Sequence, residues 1–488
     1  MESNRHTDTT DEPALQALQR DPAAQWKAFL PIAMVSIAST LNSSVINVSL
    51  PVISQALGAG IGVVEWVVMS YLLSLTALLM IAGRVGDLYG RRRTYQWGIL
   101  AFTVASALCG LSTSIGMLIA FRTLQGAAAA LVVAVAPALI GEIYPPAQRG
   151  KALGLFGATV SVGLTIGPPL GGFITDWLGW RYIFFISVPL SLLSIVLVRR
   201  YLPEDHTHER PSFDWPGSLT LGGGLLFLLL ALSRGSDWGW GSPMTLAMVL
   251  MAGGLLALFV RVERSLDNPV LDLRLFRHPV FRSAAAAGFL AFSSLFSQTF
   301  LIPFYLVQLR DFTTAHAGLF LVAVPVTMAV AAPAAGALSD KIGTRGLCML
   351  GLAVLGISFV LQATFGVDTS AGWIVLALVL TGLGIGTFNA PNNAELLSSV
   401  PRHRMGNASG MMGMTRTLGM VVGVALSSAI FTGVRDALLN GGSAAGSAEA
   451  PHAFLAGMRW SFLAAAALAL LGMVMVWGRG KGAERMEG

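Results

Sequence analysis

A single arginine, Arg122, stands inside a long apolar run that extends from about residue 115 to residue 143. An unpaired guanidinium costs on the order of several kcal/mol among apolar helices, so such residues are functional candidates by default. The alternative is a structural anchor, bonded to Gln125 or to carbonyl groups of a neighbouring helix. A second arginine, Arg416, occupies a similar position in the apolar run 406 to 432. We expect Arg416 to face a cavity between helices.

Several amide side chains also lie inside apolar runs. Amides among apolar helices must find hydrogen-bond partners, and those that line a cavity can bind a substrate. Bonding between helices is the alternative for each of them. We rank Asn47 and Gln298 highest, because they occupy similar places in two related parts of the chain. The predicted cavity residues are Asn42, Asn47, Gln125, Gln298, Asn389, Asn392 and Arg416.

The motifs of hydrolytic enzymes and of nucleotide-binding loops are missing from the sequence. It contains no His-Glu-x-x-His, no Gly-x-Ser-x-Gly and no Gly-x4-Gly-Lys-Ser/Thr. The acids Glu65, Glu142 and Glu395 fall near the ends of apolar runs, and His206 and His208 fall in a polar loop that we expect to be solvated. The sequence therefore predicts neither an enzyme nor a bound metal or cofactor.

The composition is that of a protein that crosses a membrane many times. Of its 488 residues, 54% are hydrophobic and only 11% are charged, whereas soluble proteins average roughly 25% charged residues. The net charge of +6 would suggest a nucleic-acid partner in a soluble protein. Here the basic residues fall in short loops between apolar runs, so we expect a lipid bilayer as partner and no nucleic acid.

Fourteen apolar segments are long enough to cross a bilayer as helices. They lie near residues 29–53, 64–82, 95–112, 115–143, 151–173, 181–199, 216–233, 244–261, 283–308, 316–337, 347–365, 372–396, 406–432 and 455–477. An even number places both termini on one side. Most of the 31 Lys and Arg residues lie on that side, so the positive-inside rule predicts cytoplasmic termini.

A charged, glycine-spaced stretch, Gly83 to Arg93, connects the second and third segments. Asp87, placed near the start of the third span, can accept hydrogen bonds from helix N-terminal amides or from loop arginines. Breaking that contact would release a gate; the alternative is that the arginines only fix the topology. The predicted gating residues are Gly83, Asp87, Gly90, Arg91, Arg92, Asp340 and Gly343.

The sequence repeats itself after about half of its length. A glycine ladder that includes Gly163 and Gly167 returns 256 residues later, and the charged stretch returns in weaker form as Gly336, Asp340 and Gly343. Parallel repeats of this kind belong to carriers that alternate access around a central cavity. The predicted fold is all-α, with two six-helix bundles and two inserted helices.

This organisation divides the chain into five regions. They are a disordered cytosolic tail (1–26), a six-helix bundle (27–200), loops with two inserted helices (201–279), a second six-helix bundle (280–478) and a cytosolic tail (479–488). We expect the chain to act as a monomer.

Together these motifs resemble the major facilitator superfamily. The charged stretch and its echo, Arg122 to Gly126, and the segment Gly163 to Gly172 look like its signature set. The fourteen spans, with Leu41 to Pro51 and Trp180 to Pro189, resemble its fourteen-spanner drug:proton antiporter branch.

The resemblance implies a secondary active exporter of several hydrophobic or amphiphilic drugs. It implies a proton gradient as the energy source, a multi-pass location in a bacterial inner membrane, and a role for Arg122 in proton coupling. It also implies that one helix carries an exporter motif, formed by Gly163, Gly167, Pro168 and Gly171. Glycines and prolines there allow close packing and a local kink.

One position departs from this branch, whose members usually carry a carboxylate where this chain has Asn42. An amide does not titrate, so the coupling proton must bind elsewhere or not bind at all. The predicted coupling residues are therefore Arg122, Asn42 and Glu65. A cavity with an arginine and no central acid should favour neutral or anionic compounds over lipophilic cations. A lipid or metabolite exporter with altered or absent proton coupling remains the alternative.

Overall fold

The computed structural model describes residues 19–145, 148–202, 215–239, 241–265, 273–400, 405–439 and 450–478. Within these ranges the regular structure is helical and contains no strand. The predicted N-terminal tail overlaps the first helix, which begins at Pro22 and is capped by the Asp21 side chain. Residues 1–18 and the predicted C-terminal tail, 479–488, lie outside the described residues.

Seven helices of the first half lie wholly within the described residues. These are α1 (Pro22–Ala56), α2 (Ile61–Tyr89), α3 (Arg91–Gly110), α4 (Ile115–Ile143), α5 (Arg149–Trp177), α6 (Tyr182–Phe185) and α7 (Ser187–Tyr201). The short α6 and α7 together occupy the sixth predicted segment. The insert between the halves forms α8 (Trp215–Trp238) and α9 (Pro243–Ser265), which are followed by the 3₁₀ turn Leu273–Arg277.

The second half repeats this order. It contains α10 (Pro279–Phe304), α11 (Thr314–Leu321), α12 (Ala323–Ile342), α13 (Thr344–Gln362), α14 (Ala371–Ser398), α15 (Met405–Leu438) and α16 (Ala450–Trp477). A π-helical turn, Tyr305–Leu309, extends α10, and α11 with α12 forms the tenth predicted segment. Every predicted segment therefore coincides with helix.

Twelve helical segments in the described ranges are long and apolar enough to cross a membrane. The two remaining long helices are α3, which begins with three arginines, and α8, whose apolar stretch Leu219–Leu228 is short. A fold with about twelve candidate membrane helices is thus established, while the count of fourteen spans stays a prediction.

The stretch between the second and third segments is shorter than the sequence indicates. α2 continues through Gly83 and Asp87 to Tyr89, and Gly90 alone leaves the helical conformation, with a φ of 97°. Charged side chains at a helix end do not break the helix, whereas a residue at positive φ does, and glycine adopts that φ without steric cost. Asp87 therefore lies at the end of α2 rather than at the start of the third span.

The helix connections lie at two ends of the bundle, which differ in their content of arginine. The arginine-rich end holds the turns at Gly90 and Gly343, and the opposite end holds the connections at residues 57–60, 111–114 and 178–181. The inserted α8 packs against α2 and α15, one helix from each half, and α9 packs on α8. A Cβ atom placed on Gly222 would lie 3.2 Å from Cβ of Ala77, so α8 approaches α2 closely. The insert covers one of the two seams between the halves.

Candidate functional site

Arg122 is buried at the centre of the first half, with 1% of its surface exposed. Its Nε donates to the carbonyl oxygen of Val67 at 2.9 Å, and its Nη1 donates to Oδ1 of Asn42 at 3.1 Å and to Oε1 of Gln125 at 2.7 Å. The guanidinium also lies over the ring of Tyr71, 4.2 Å from the centroid. These contacts tie α1, α2 and α4 together. They are the contacts that a structural anchor requires; the coupling role stays a prediction.

Asn42 connects Arg122 to three further helices, α3, α6 and α7. Its Nδ2 donates to Oγ of Ser106 on α3 at 3.3 Å. Ser106 in turn donates to the carbonyl oxygen of Phe184 at 2.7 Å and lies 3.0 Å from Oγ of Ser187. A carboxylate accepts hydrogen bonds but does not donate them, so an amide satisfies both neighbours of this position. We call Asn42, Ser106, Arg122, Gln125 and Ser187 the first polar cluster.

The second half contains a polar cluster without a charge. Oε1 of Gln298 accepts hydrogen bonds from Nε2 of Gln362 at 2.7 Å and from Oγ1 of Thr381 at 2.6 Å. Nε2 of Gln362 also donates to Oγ of Ser358 at 3.0 Å. All four side chains are buried. We call Gln298, Ser358, Gln362 and Thr381 the second polar cluster.

The two clusters occupy equivalent places in the repeats. Gln298 follows Asn42 by 256 residues and Thr381 follows Gln125 by 256 residues, the spacing of the glycine ladder. The expected counterpart of Gln298 was Asn47, and the structure corrects this pairing to Asn42. Leu378 stands where the repeat would place a second Arg122. Only the first of the two clusters therefore carries a buried positive charge.

The other amides predicted to line a cavity differ in exposure. Asn392 is buried and donates to the carbonyl oxygen of Ala284 at 3.1 Å. Asn389 is half-buried, and its Oδ1 accepts a hydrogen bond from Asn393 at 3.3 Å. Asn47 is half-buried on α1. Asn392 therefore joins helices, as the clustered amides do, while Asn47 and Asn389 keep accessible surface.

Arg416 on α15 is half-buried and lies over the ring of Phe292 on α10, 4.5 Å from the centroid. In the sequence, Phe292, Phe296 and Phe300 recur every four residues and suggest a single apolar stripe. Phe292 and Phe300 are buried, and Phe296 is half-buried. Arg416 thus stands at the surface of this stripe.

The two halves meet tightly at the opposite end, along α5 and α11. The carboxylate of Asp176 accepts hydrogen bonds from the backbone N–H groups of Thr314 at 3.1 Å and Ala315 at 2.8 Å. A Cβ atom on Gly172 would lie 2.3 Å from the carbonyl oxygen of Thr314, and one on Gly318 would lie 2.2 Å from that of Pro168. A carboxylate thus caps the N-terminus of a helix of the other half, a favourable contact with the helix dipole.

The exporter-motif glycines face α1 within the first half. A Cβ atom on Gly163 would lie 2.0 Å from Oγ1 of Thr40, and one on Gly167 would lie 2.5 Å from Cβ of Ser44. Gly171 is equally close to Val45. The ladder therefore lets α5 pack closely on α1, while Pro168 and Gly172 face the other half.

Toward the arginine-rich end, the glycines of α5 and α15 have no close neighbours on other helices. A Cβ atom on Gly150, Gly154 or Gly157 of α5 would meet no atom within 4 Å, and the same holds for Gly410 and Gly413 of α15. Large apolar side chains are exposed on both sides of this seam: Leu153 on α5 is 42% exposed and Val330 on α12 is 70% exposed. Among the described residues, the close contacts along this seam lie at the opposite end, and these positions nearer the arginine-rich end make none.

The predicted gating residues of the first half bond to their own half. Nη2 of Arg91 lies 3.1 Å from Oδ1 of Asp87, and its Nη1 lies 2.7 Å from Oε1 of Glu142 on α4. Arg92 donates to the carbonyl oxygen of Arg199 at 2.7 Å. Asp87 thus pairs with a loop arginine, one of the two partners that the sequence suggests.

The second half repeats this arrangement with fewer charges. Gly343 has a φ of 86°, as Gly90 has a φ of 97°, and each lies between two helices. Thr344 replaces Arg91 at the equivalent position and donates to Oε2 of Glu395 at 2.8 Å, as Arg91 donates to Glu142. Asp340 is exposed at the end of α12. Gly83 is half-buried, and a Cβ atom placed on it would lie 3.9 Å from Cβ of Ala134.

Glu65, the third predicted coupling residue, is fully buried in the second turn of α2, near the opposite end. The sequence places Glu65 at the mouth of the second segment, and the structure shows its side chain buried there. His206 and His208 lie outside the described residues. Within the described ranges, no cluster of three His, Cys, Asp or Glu side chains is suited to hold a metal ion.

Sequence reasoning missed two features of the site. The first is Asp176, which bonds to α11 across the seam between the halves. In the sequence, Asp176 is an acid at the end of a predicted span, and Thr313 is a residue type that often begins a helix. Together they could have suggested a carboxylate bound to a helix N-terminus. The second is the second polar cluster, of which the sequence indicates only Gln298, because serine and threonine residues such as Ser358 and Thr381 are common in apolar helices. The other members become recognisable when the two repeats are aligned on the glycine ladder.

Comparison with known families and curated proteins gives a consistent result. Residues 32–424 match the model described as the Major Facilitator Superfamily. The chain is 31% identical over 408 residues to "Riboflavin transporter RibZ" of Clostridioides difficile, covering 83% of this chain and 88% of that protein. It is 33% identical over 405 residues to "Multidrug resistance protein Stp" of Mycobacterium tuberculosis, covering 82% and 74%. It is 29% identical over 426 residues to the "Tetracenomycin C resistance and export protein" of Streptomyces glaucescens, covering 86% and 79%.

Solved structures share the fold at low sequence identity. A bacterial homologue of the human lysosomal transporter Spinster, in an inward-facing and unoccupied conformation, aligns with a TM-score of 0.68 and 17% identity, over 94% of this chain and 98% of that chain. The peptide transporter POT in complex with sulfate aligns with a TM-score of 0.69 and 15% identity, over 97% and 99%.

Proposed function

We propose, from the premise that the chain belongs to the Major Facilitator Superfamily, that it exports hydrophobic or amphiphilic compounds by alternating access. Transporters of this type are not enzymes. Two relatives are named for multidrug resistance or antibiotic export, which supports the direction and the substrate class. The resemblance of α5 to the exporter motif supports the same direction, and in the structure Pro168 and Gly172 of this helix lie against the other half.

The observation that carries this proposal is the unequal contact between the halves. Asp176 and the small residues around it hold α5 against α11 at the opposite end. At the arginine-rich end the halves are apart. Two bundles whose close contacts, among the described residues, lie at one end match one state of a rocking carrier. The other state would close the arginine-rich end, where Asp87, Arg91 and Glu142 lie.

The finer topology forms part of the proposal. We take α3 and α8 as membrane spans, which gives fourteen spans and places the chain in the drug:proton antiporter branch. Both termini are then cytoplasmic, the arginine-rich end faces the cytoplasm, and the membrane is a bacterial inner membrane. The carrier acts as a monomer and binds no nucleic acid. In this orientation the structure is open toward the cytoplasm, where an exporter loads its substrate.

Proton antiport is the proposed energy source, with Arg122, Asn42 and Glu65 as coupling residues. Arg122 is held by a backbone carbonyl and two amides, which do not titrate, so a coupling proton must bind outside the first polar cluster. Glu65 is a titratable group of the same half, buried near the opposite end. The missing acid at Asn42 favours a second candidate function: export of a lipid or metabolite with altered or absent proton coupling. The relative named as a riboflavin transporter supports that alternative.

The experiment that tests export uses inside-out membrane vesicles and pyrenebutanol, a neutral fluorescent amphiphile. We expect an acid-inside pH gradient to drive its accumulation, and Asp87→Asn to abolish it while the protein stays in the membrane. Losing the Asp87 carboxylate breaks the ion pair with Arg91. The matched control is Asp436→Asn, which removes an exposed carboxylate at the opposite end of α15. Full transport by Asp87→Asn would contradict the gating role. If vesicles with the unmodified carrier accumulate no pyrenebutanol, export is contradicted.

A further inference from the structure

Arg416 lies inside the second half without a polar partner. Among the described residues, no oxygen atom accepts a hydrogen bond from its guanidinium and no carboxylate forms an ion pair with it. Its guanidinium lies over the face of the Phe292 ring, 4.5 Å from the centroid. The side chain is half-buried, so part of it stays accessible.

Arg122 provides the contrast in the first half. It also lies over an aromatic ring, that of Tyr71 at 4.2 Å, but three oxygen atoms accept its hydrogen bonds and only 1% of its surface is exposed. A guanidinium offers five N–H donors in a planar fork that matches a carboxylate. Three donors of Arg122 are engaged by the protein, whereas no described residue accepts a hydrogen bond from Arg416, whose donors are available to a ligand.

The position of Arg416 makes it reachable from the open end. One turn along α15, Gly419 packs against α10, where its own Cβ would lie 2.5 Å from the carbonyl oxygen of Phe289. On the other side of Arg416, Gly413 and Gly410 have no atom within 4 Å of a Cβ position. Arg416 therefore stands where the contact between α15 and its neighbours ends and the separation toward the arginine-rich end begins.

The charges around this position favour an anion. The acids of the described helices lie near the helix ends: Glu142 pairs with Arg91, Glu395 accepts from Thr344, and Asp176 caps α11. The middle of the bundle thus holds two guanidinium groups, one in each half. Because charges interact strongly where water is scarce, an acidic group that enters from the open end is attracted to the accessible one.

We infer that Arg416, supported by Phe292, is the recognition site for an acidic group on the exported compound. The ligand class is an amphiphile that carries a carboxylate or a sulfonate on an aromatic or aliphatic body. The guanidinium edge holds the acid through two parallel hydrogen bonds, and the Phe292 ring keeps the guanidinium in place from its other face. This inference rests on the proposed function and names the substrate class for it.

Two probes with the same apolar body test this site: pyrenebutyrate, which carries a carboxylate, and pyrenebutanol, which does not. Their equilibrium binding to the purified full-length carrier in lipid nanodiscs gives the preference for the acid. We expect the unmodified carrier to bind pyrenebutyrate roughly tenfold more tightly or better, since hydrogen bonds to charged groups each contribute about 1.5–3 kcal/mol. Arg416→Gln should lose this preference, so that its affinities for the two probes become similar, and Arg416→Lys should keep part of the preference.

The controls separate this inference from folding and from export itself. A single elution peak at the volume of the unmodified carrier in size-exclusion chromatography shows that Arg416→Gln is folded. Arg435→Gln, at the opposite end of the same helix, should keep the full preference for the acid. Equal binding of the two probes by the unmodified carrier, or an acid preference that survives in Arg416→Gln, would overturn the inference while export of pyrenebutanol in vesicles stands. Failure of both binding and export would overturn the proposed function together with it.

Discussion

At the scale of single residues, the two arginines inside the bundle differ: Arg122 holds helices together, whereas Arg416 stays accessible. Three of the five N–H donors of Arg122 bond to Val67, Asn42 and Gln125. Asn42 is suited to this position because its amide accepts from Arg122 and donates to Ser106. The buried charge of Arg122 therefore has no counter-ion in the first polar cluster, and the identity of residue 42 controls the charge of the interior.

Replacing Asn42 by aspartate should change the charge preference of the carrier. Asn42→Asp places a carboxylate beside Arg122 and removes the donor to Ser106, so the cluster becomes neutral and gains a titratable group. We expect efflux of tetraphenylphosphonium, a lipophilic cation, to rise several-fold in vesicles, and export of pyrenebutyrate to fall. Proton movement per exported cation, followed by a pH-sensitive dye, should rise as well.

The matched control for this change is Asn47→Asp, on the same helix. Asn47 is half-buried, and the Arg122 hydrogen bond is made by Asn42 instead. An equal effect of the two variants would show that any new acid on α1 suffices. An unchanged ratio of cation to anion export in Asn42→Asp would show that residue 42 does not set the charge preference.

At the scale of helices, α5 and α11 form the contact that fixes the observed conformation. Sequence reasoning identified α5 correctly as a helix of glycines and prolines, because its small residues recur at helical spacing. It did not identify the partner helix, since which helices meet across two halves depends on tertiary packing. Asp176 illustrates this limit: its role follows from the N-terminus of α11, 138 residues away.

Removing the Asp176 carboxylate should weaken this contact. Losing the cap of a helix N-terminus costs about 0.5–2 kcal/mol, which shifts the ratio of the two states roughly twofold to thirtyfold toward one that is open at the opposite end. The measurement is the distance distribution between spin labels at Trp177→Cys and His316→Cys, two exposed positions flanking the seam. Asp176→Ala should add a longer distance, and Asp176→Asn, which keeps one acceptor, should add less of it.

Asp436→Ala is the control for this variant, because it removes another carboxylate at the same end without touching α11. Identical distance distributions in Asp176→Ala and the unmodified carrier would mean that the close glycine contacts alone hold the seam. In that case Asp176 would not be the residue that stabilises the closed end.

At the scale of the whole molecule, the repeat was the most informative signal in the sequence. It predicted two bundles and an insert, and it aligns Gly90 with Gly343 and Arg91 with Thr344, whose structural roles match. It could not predict that α8 covers the seam between α2 and α15, because inserted helices have no counterpart in the repeat. Nor could it predict which end is closed, since both states of a carrier share one sequence.

In alternating access, the two ends of the bundle open in turn. Distances within two spin-label pairs, one at each end, test this most directly. One pair, Trp177→Cys with His316→Cys, spans the seam at the opposite end. The other, Lys151→Cys with Ile342→Cys, joins exposed positions of α5 and α12 at the arginine-rich end. The buried native cysteines, Cys109 and Cys348, are replaced by alanine in both. On adding pyrenebutyrate under a pH gradient, the first distance should lengthen while the second shortens. Distances that change in the same direction, or a fixed pair of distances in a carrier that is exporting, would contradict alternating access.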